Sequence, residues 1–306
     1  MRLSTSYMYQ HNIDSMSNAT VNYNNIYTRL AAGQILLKPS DSPSAASQAI
    51  VYQNALSDMN QYDTARLYAQ DSLGYEDNVL SSISNLLTKN LSEKIVAAGN
   101  DTYTDADRQA LATELEGIRD SLVDLGNSKN SNGRYIFGGY QTGSPPFLPD
   151  GTYVGGDTAI MQTVGDSTVM QVGHTGSDVF MSGTDDDLFA ALNKAIDALQ
   201  QPIESDEDRQ ALQETLDGVN RSINRCIDNL GMVQASVGTN LQQLEQLGAS
   251  SDSHRITVES RYQQTVGSDS EAMISLITQS KMSEFALNSS MLVFQAMQKM
   301  SLFNMI

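Results

Sequence analysis

The chain has 306 residues, a formal net charge of −18, 7% aromatic residues, no tryptophan and one cysteine. A field of that sign repels nucleic acid and anionic lipid, and no basic patch interrupts it. The lone Cys226 can form neither an internal disulfide nor a cysteine metal cluster. The length suggests two or three domains, and so few aromatics suit long helical packing better than a thick globular core.

The charge is uneven. Residues 1–40 carry a net +2 and residues 268–306 a net −1, so residues 41–267 hold −19. Near-neutral ends can pack together without strong repulsion while an acidic middle stays solvated. The N-terminal "MRLSTSYMYQHNIDSM" has no apolar core and no small-residue cleavage site, so no conventional signal peptide is expected. No run of 18 apolar residues occurs, so no membrane insertion is expected.

Ile13, Met16, Thr20, Tyr23, Tyr27 and Leu30 step by 3, 4, 3, 4 and 3, which predicts a helix with a partly polar seam. Gly33 ends it and "GQILLKPSDSPSA" is a loop. Ser42 then caps a helix whose first residue is Pro43. That helix is expected to run to residue 98, bent near Gly74, with Leu73, Leu80, Ile83 and Leu87 on one face. Thr104 to Asp107 approximates a capping box, and Leu111, Leu115, Ile118, Leu122 and Leu125 predict an amphipathic helix to about Lys129.

"NSNGRYIFGGYQTGSPPF" follows, at residues 130–147. It lacks the lysine of a phosphate loop, and its glycines and prolines mark a turn at a domain junction. Residues 138–183 change character, and "TAIMQTV" and "STVMQV" read as short strands. Helix restarts at Thr184 or one of the aspartates after it, where carboxylates favour the exposed N–H groups. The strongest repeat comes next: Leu212, Leu216, Val219, Ile223, Cys226, Leu230, Val233 and Val237, with Leu244 in register, predict one coiled-coil-like helix. Cys226 reads there as a buried small hydrophobe.

The last helix, from about Ser270, carries two stripes. One is Met282, Ala286, Ser289, Val293, Ala296, Met300 and Phe303; the other is Leu287, Met291, Phe294 and Leu302, with Leu292 between them. Two apolar faces need two neighbours, supplied by a core in the same chain or by other subunits. The apolar end "MSLFNMI" favours a subunit interface. His11, His174 and His254 share no local motif, no hydrolase or nucleotide-binding signature occurs, and the acidic residues read as a solvated face. Neither an enzyme nor a cofactor is expected.

Several stretches resemble the bacterial flagellin family across essentially the whole chain. They are "MRLST" at 1–5, "GQILLKPSDSP" at 33–43, "GRYIFGG" at 133–139 before Pro146-Phe147, "GSDVF" at 176–180 and "SLFNMI" at 301–306. Gln34 and Ile35 depart from that family's usual basic pair, Ser42 from an aspartate and Ile306 from a leucine.

The resemblance implies a mostly α fold: a long helical rod with coiled-coil-like packing of the N- and C-terminal segments, plus a small β-rich inserted domain. The implied regions are 1–40 and 265–306 for terminal assembly, disordered in the monomer; 41–137 and 184–264 for the rod; and 138–183 for the outer domain. The implied interface is Ile13, Met16, Tyr23, Tyr27, Leu30, Met282, Ala286, Leu287, Met291, Leu292, Val293, Phe294, Met300 and Phe303.

The implied role is a structural adaptor at the hook–filament junction of the flagellum, exported unfolded through the flagellar type III apparatus. The implied partners are hook-associated protein 1, flagellin, transiently the filament cap protein, a cytoplasmic export chaperone, and further copies of the chain in a ring. A bulk flagellin subunit and a secreted rod-like adhesin are the alternatives.

Overall fold

The computed structural model describes residues 5–100 and 102–303. The order is α1 (Thr5–Ala32), α2 (Pro43–Asn85), a π-helical segment (Leu86–Leu91), α3 (Ser92–Ala98), α4 (Asp105–Gly126), β1 (Met161–Gly165), β2 (Thr168–Gln171), α5 (Gly176–Phe180), α6 (Leu188–Gln200), α7 (Asp206–Val266) and α8 (Ser270–Phe303). The fold is mostly helical, with the long terminal helices α1 and α8 packed together and one two-stranded insertion. Contacts divide the chain into two compact units, Met1–Asn60 with Ser251–Ile306, and Gln61–Ser250.

The core of the second unit follows from the apolar stripes. Leu73, Leu80, Ile83 and Leu87 are all 0% exposed and share one cluster with Leu111, Leu115 and Leu122 of α4. The heptad residues of α7, from Leu212 to Val237 and on to Leu244, join the same cluster. Cys226 is 1% exposed within it, and burial, then the charge of Asp187, pushes its thiol up to about 12, so it stays protonated and inert.

The long second helix is α-helical without a break through Gly74, and the π-helical segment at residues 86–91 joins it to α3. Buried positions from Leu73 fall at Glu76, Leu80, Ile83 and Leu87; a strict repeat would next bury residues 90 and 94, but the buried side chains are Leu91 and Ile95. One residue too many has entered the repeat. A π turn closes i→i+5 bonds and so takes up one extra residue, which keeps the stripe on the core. The Ser92 hydroxyl fits this geometry by donating to the Leu87 carbonyl, five residues back, at 2.9 Å.

The capping box at α4 forms as read, with the Asp107 carboxylate accepting from the Thr104 amide at 2.9 Å and hydroxyl at 2.7 Å. The helix ends at Gly126 rather than near Lys129. Its next residue, Asn127, turns its side chain to Phe147, accepting from the Phe147 amide and donating to its carbonyl, both at 3.0 Å. Downstream, Asp187 is the cap that starts α6, its carboxylate accepting from the Phe189 and Ala190 amides.

The insert holds less strand than its composition suggests. Among the described residues it contains one antiparallel hairpin, β1–β2, with a register shift between Thr163 and Gly165. "GSDVF" is the short helix α5, with Thr175 and Asp178 forming a capping box at its start. Three polar side chains of α2 hold this segment. Arg66 donates to the Val164 carbonyl and Ser72 to the Val172 carbonyl, each at 2.9 Å. Buried Glu76 accepts from the His174 amide at 3.0 Å and lies 2.9 Å from its Nδ1.

The glycine- and aromatic-rich stretch is packing. Phe147 meets Phe180 edge-on at 5.1 Å between ring centres, and Phe180 lies 5.0 Å from Phe189. Gly126 and Gly176 allow Phe147 to approach the backbone: a Cβ on either would stand 2.8 Å or less from its ring.

Candidate assembly interface

The terminal unit is built on one turn and one helix pair. Gly33 (φ 67°) ends α1, and the chain folds onto the α7–α8 turn, where the Ile35 and Leu36 amides both donate to the Val266 carbonyl at 3.0 Å. Gly267 (φ 67°) makes that turn, and Ile35 packs so close that a Cβ on Gly267 would lie 2.7 Å from it. An apolar Ile35 therefore suits its seat where the family resemblance leads one to expect a basic residue.

Asp41 closes the loop. Its carboxylate accepts from the Leu37 and Lys38 amides at 3.1 Å and lies 3.6 Å from Arg29. Those backbone donors, then the Arg29 and Lys38 charges, hold it below the usual carboxylate range.

Helices α1 and α8 run antiparallel. The Ile35–Gly267 contact lies at one end; at the other, Asn12 Nδ2 donates to Met297 Sδ at 2.8 Å and the Tyr9 and Phe294 rings are 5.5 Å apart. On α1 the half-buried seam is Ile13, Met16, Thr20, Tyr23, Ile26 and Leu30. Tyr27, read from sequence as part of that seam, is 57% exposed; Ile26 takes its place because the seam steps by 3 there, not 4. On α8 the packed side is Leu276, Leu287, Phe294 and Met297.

The remaining apolar residues of α8 face outward. Ile274 is 65%, Met282 68%, Phe285 74%, Leu292 66% and Val293 50% exposed. At ~100° per residue, Ile274, Phe285 and Leu292 lie within about 20° of one another and on the opposite side from Leu276, Leu287 and Phe294. The expected residues thus separate by role. Leu287 and Phe294 are half-buried toward α1; Met282, Ala286, Leu292 and Val293 point away; and Met291, 44% exposed, sits at the edge of the packed side. The side chains of Met300 and Phe303, and the motifs at 1–4 and 304–306, lie outside the described residues.

Sequence reading missed Ile274 and Phe285. Their spacing of 11 residues, with Leu292 seven further on, is a three-turn repeat that a heptad template does not collect.

The terminal unit is also nearly neutral, with seven basic and eight acidic residues, whereas residues 61–250 hold 11 basic and 28 acidic. A neutral apolar face can meet the terminal unit of another copy without a large electrostatic cost. Among the described residues no cluster of His, Cys, Asp or Glu could hold a metal ion, and no helix is long and apolar enough to cross a membrane.

Comparison with known proteins agrees with this architecture. Residues 3–142 match the model of the bacterial flagellin N-terminal helical region. The chain is 37% identical to flagellar hook-associated protein 3 of Escherichia coli and 35% identical to that of Salmonella typhimurium, in each case over 100% of this chain and 99% of the relative. In fold it is similar to the crystal structure of flagellar hook-associated protein 3 from Legionella pneumophila, with a TM-score of 0.63, 18% identity, and coverage of 70% of this chain and 98% of that one.

Proposed function

The chain belongs to the flagellar hook-associated protein 3 family of flagellin-like proteins, and from that premise we propose that the outward face of α8 is the surface through which copies join one another. The family places it, as a secreted structural protein without catalysis, at the junction of flagellar hook and filament, among hook and filament components. The observation that carries the proposal is the exposed stripe of Ile274, Phe285 and Leu292, with Met282 and Val293 beside it, on a helix already packed on its other side.

The terminal regions, 1–40 and 265–306, order fully only on assembly. Among the described side chains of α1 and α8 only Leu276 is buried. Ordering costs about 1–2 kcal/mol per residue, and the isolated pair buries little to offset it. Contacts with neighbouring copies supply the rest. In this reading the segments 41–137 and 184–264 form the rod and 138–183 faces outward. Copies stack head to tail along a helix that does not close on itself, a ring of them lying with hook-associated protein 1 on one side, flagellin on the other and the cap protein there transiently. Before export through the type III apparatus a cytoplasmic chaperone shields the stretch from Met291 to Phe303, in which Leu292 and Val293 are exposed in the free chain.

Removal of residues 287–306 tests this. The expected result is unchanged helicity in residues 61–250 and no assembly by sedimentation. A truncated chain that still assembles would overturn the proposal. Hydrogen exchange on the free and assembled forms should show residues 1–35 and 270–306 gaining protection only in the assembly.

A further inference from the structure

Methionine is concentrated where the proposed contacts lie. Ten of the 14 methionines fall in Met1–Asn60 and Ser251–Ile306, against four in the longer stretch Gln61–Ser250. Of these, Met282 is 68% exposed and stands beside Val293 and Phe285 on the outward side of α8, while Met291 is 44% exposed at the edge of the packed side. An unbranched, polarizable thioether adapts to more than one partner surface. It is also the apolar side chain that an oxidant turns polar without touching the backbone.

We propose that Met282 is an oxidation site that switches the α8 interface off in the free subunit; this rests on reading the outward face of α8 as the contact between copies. The oxidant is a hydroperoxide, taken here as hydrogen peroxide. The sulfur lone pair attacks one peroxide oxygen, the S–O bond forms as the O–O bond breaks, and the proton moves to the departing oxygen, which leaves as water. Sulfur is oxidised by two electrons and peroxide is reduced by two. The sulfoxide is a strong hydrogen-bond acceptor, and an apolar face on the neighbouring copy gives it no donor. Once buried between copies, the same thioether is out of reach, so assembly protects what oxidation of the free chain destroys.

The test uses the full-length subunit. Free protein is treated with hydrogen peroxide, sulfoxides are mapped by peptide mass spectrometry, and the concentration needed for assembly is read by sedimentation. The expected result is modification of Met282 well ahead of Met170, which is 4% exposed, and assembly at roughly tenfold higher concentration. Met282→Leu should assemble after treatment as it does before it. Met232→Leu, altered at a methionine 66% exposed on α7, should stay sensitive.

Oxidised wild-type chain that assembles at the untreated concentration, or a Met282→Leu chain that remains sensitive, would overturn the proposal. If Leu292→Asp assembles normally with no oxidant present, the reading of the α8 face itself fails, and the two failures are told apart by the untreated samples. Should Met291 prove to be the residue oxidised first, Met291→Leu and not Met282→Leu will confer resistance, and the assignment to Met282 falls.

Discussion

Replacing Leu292 by aspartate separates a contact made between copies from one made within the chain. Leu292 is 66% exposed in the free subunit, so aspartate there should leave helicity and melting temperature unchanged, within about 0.5 kcal/mol. In the assembly the account differs. Fully burying a leucine side chain contributes about 1.5–3 kcal/mol, so roughly two-thirds of that, about 1–2 kcal/mol, remains to be gained on contact. Aspartate forfeits this gain and brings a carboxylate whose desolvation costs several kcal/mol more.

A combined loss of about 4 kcal/mol corresponds to a thousandfold rise in the concentration needed for assembly. Sedimentation of serial dilutions would read that shift directly, with circular dichroism on the same samples. Met232→Asp is the matched control, because Met232 is also 66% exposed but lies on α7 in the other unit. Normal assembly by Leu292→Asp would refute the reasoning, and so would a lowered melting temperature in the free chain. Equal damage from Met232→Asp would place the interface elsewhere.

Other substitutions test the second unit. Gly176→Ala puts a Cβ 2.6 Å from Phe147 Cζ and Tyr153 Cε2, and should destabilise by about 1–3 kcal/mol in urea unfolding, whereas Gly231→Ala, with open space around it, should be neutral or stabilising. Glu76→Ala removes the buried acceptor of the His174 amide and ring, and a loss of about 1–3 kcal/mol is expected; an unchanged urea midpoint would show that the pair does not hold the insert. The capping carboxylates give a pH dependence with a definite sign. Hydrogen bonds from Thr104 hold Asp107 below its ordinary value of 3.8, and bonds from Ser205 and Glu204 do the same for Asp208, so their stabilisation is full above that pH and fades as pH falls below it. The melting-temperature gap between wild type and Asp107→Ala/Asp208→Ala should be widest at neutral pH and close on acidification; a constant gap would show that the caps do not act through the ionised form.

The helices and their core faces were legible in the sequence because each is a local, periodic property. The steps from Leu212 to Val237 predicted which side of α7 is buried, and Thr104 with Asp107 predicted the start of α4 to the residue. The family was legible through loop and turn motifs, where few residue types satisfy the geometry: Asp41 must accept two amides, and Gly176 must admit two rings.

Two matters depended on which segments meet in space. The extra residue near Leu87 shows in the sequence only as a changed step, and tertiary burial of Leu91 and Ile95 makes it a π turn rather than a turned-away stripe. On α8, apolar residues cover most of the circumference, so no periodicity could say which of them face α1. Packing decided that Leu276, Leu287 and Phe294 turn inward, which leaves Ile274, Phe285 and Leu292 as the outward face. Hydrophobicity marks what must be covered; only the partner already in place determines what is left for the next one.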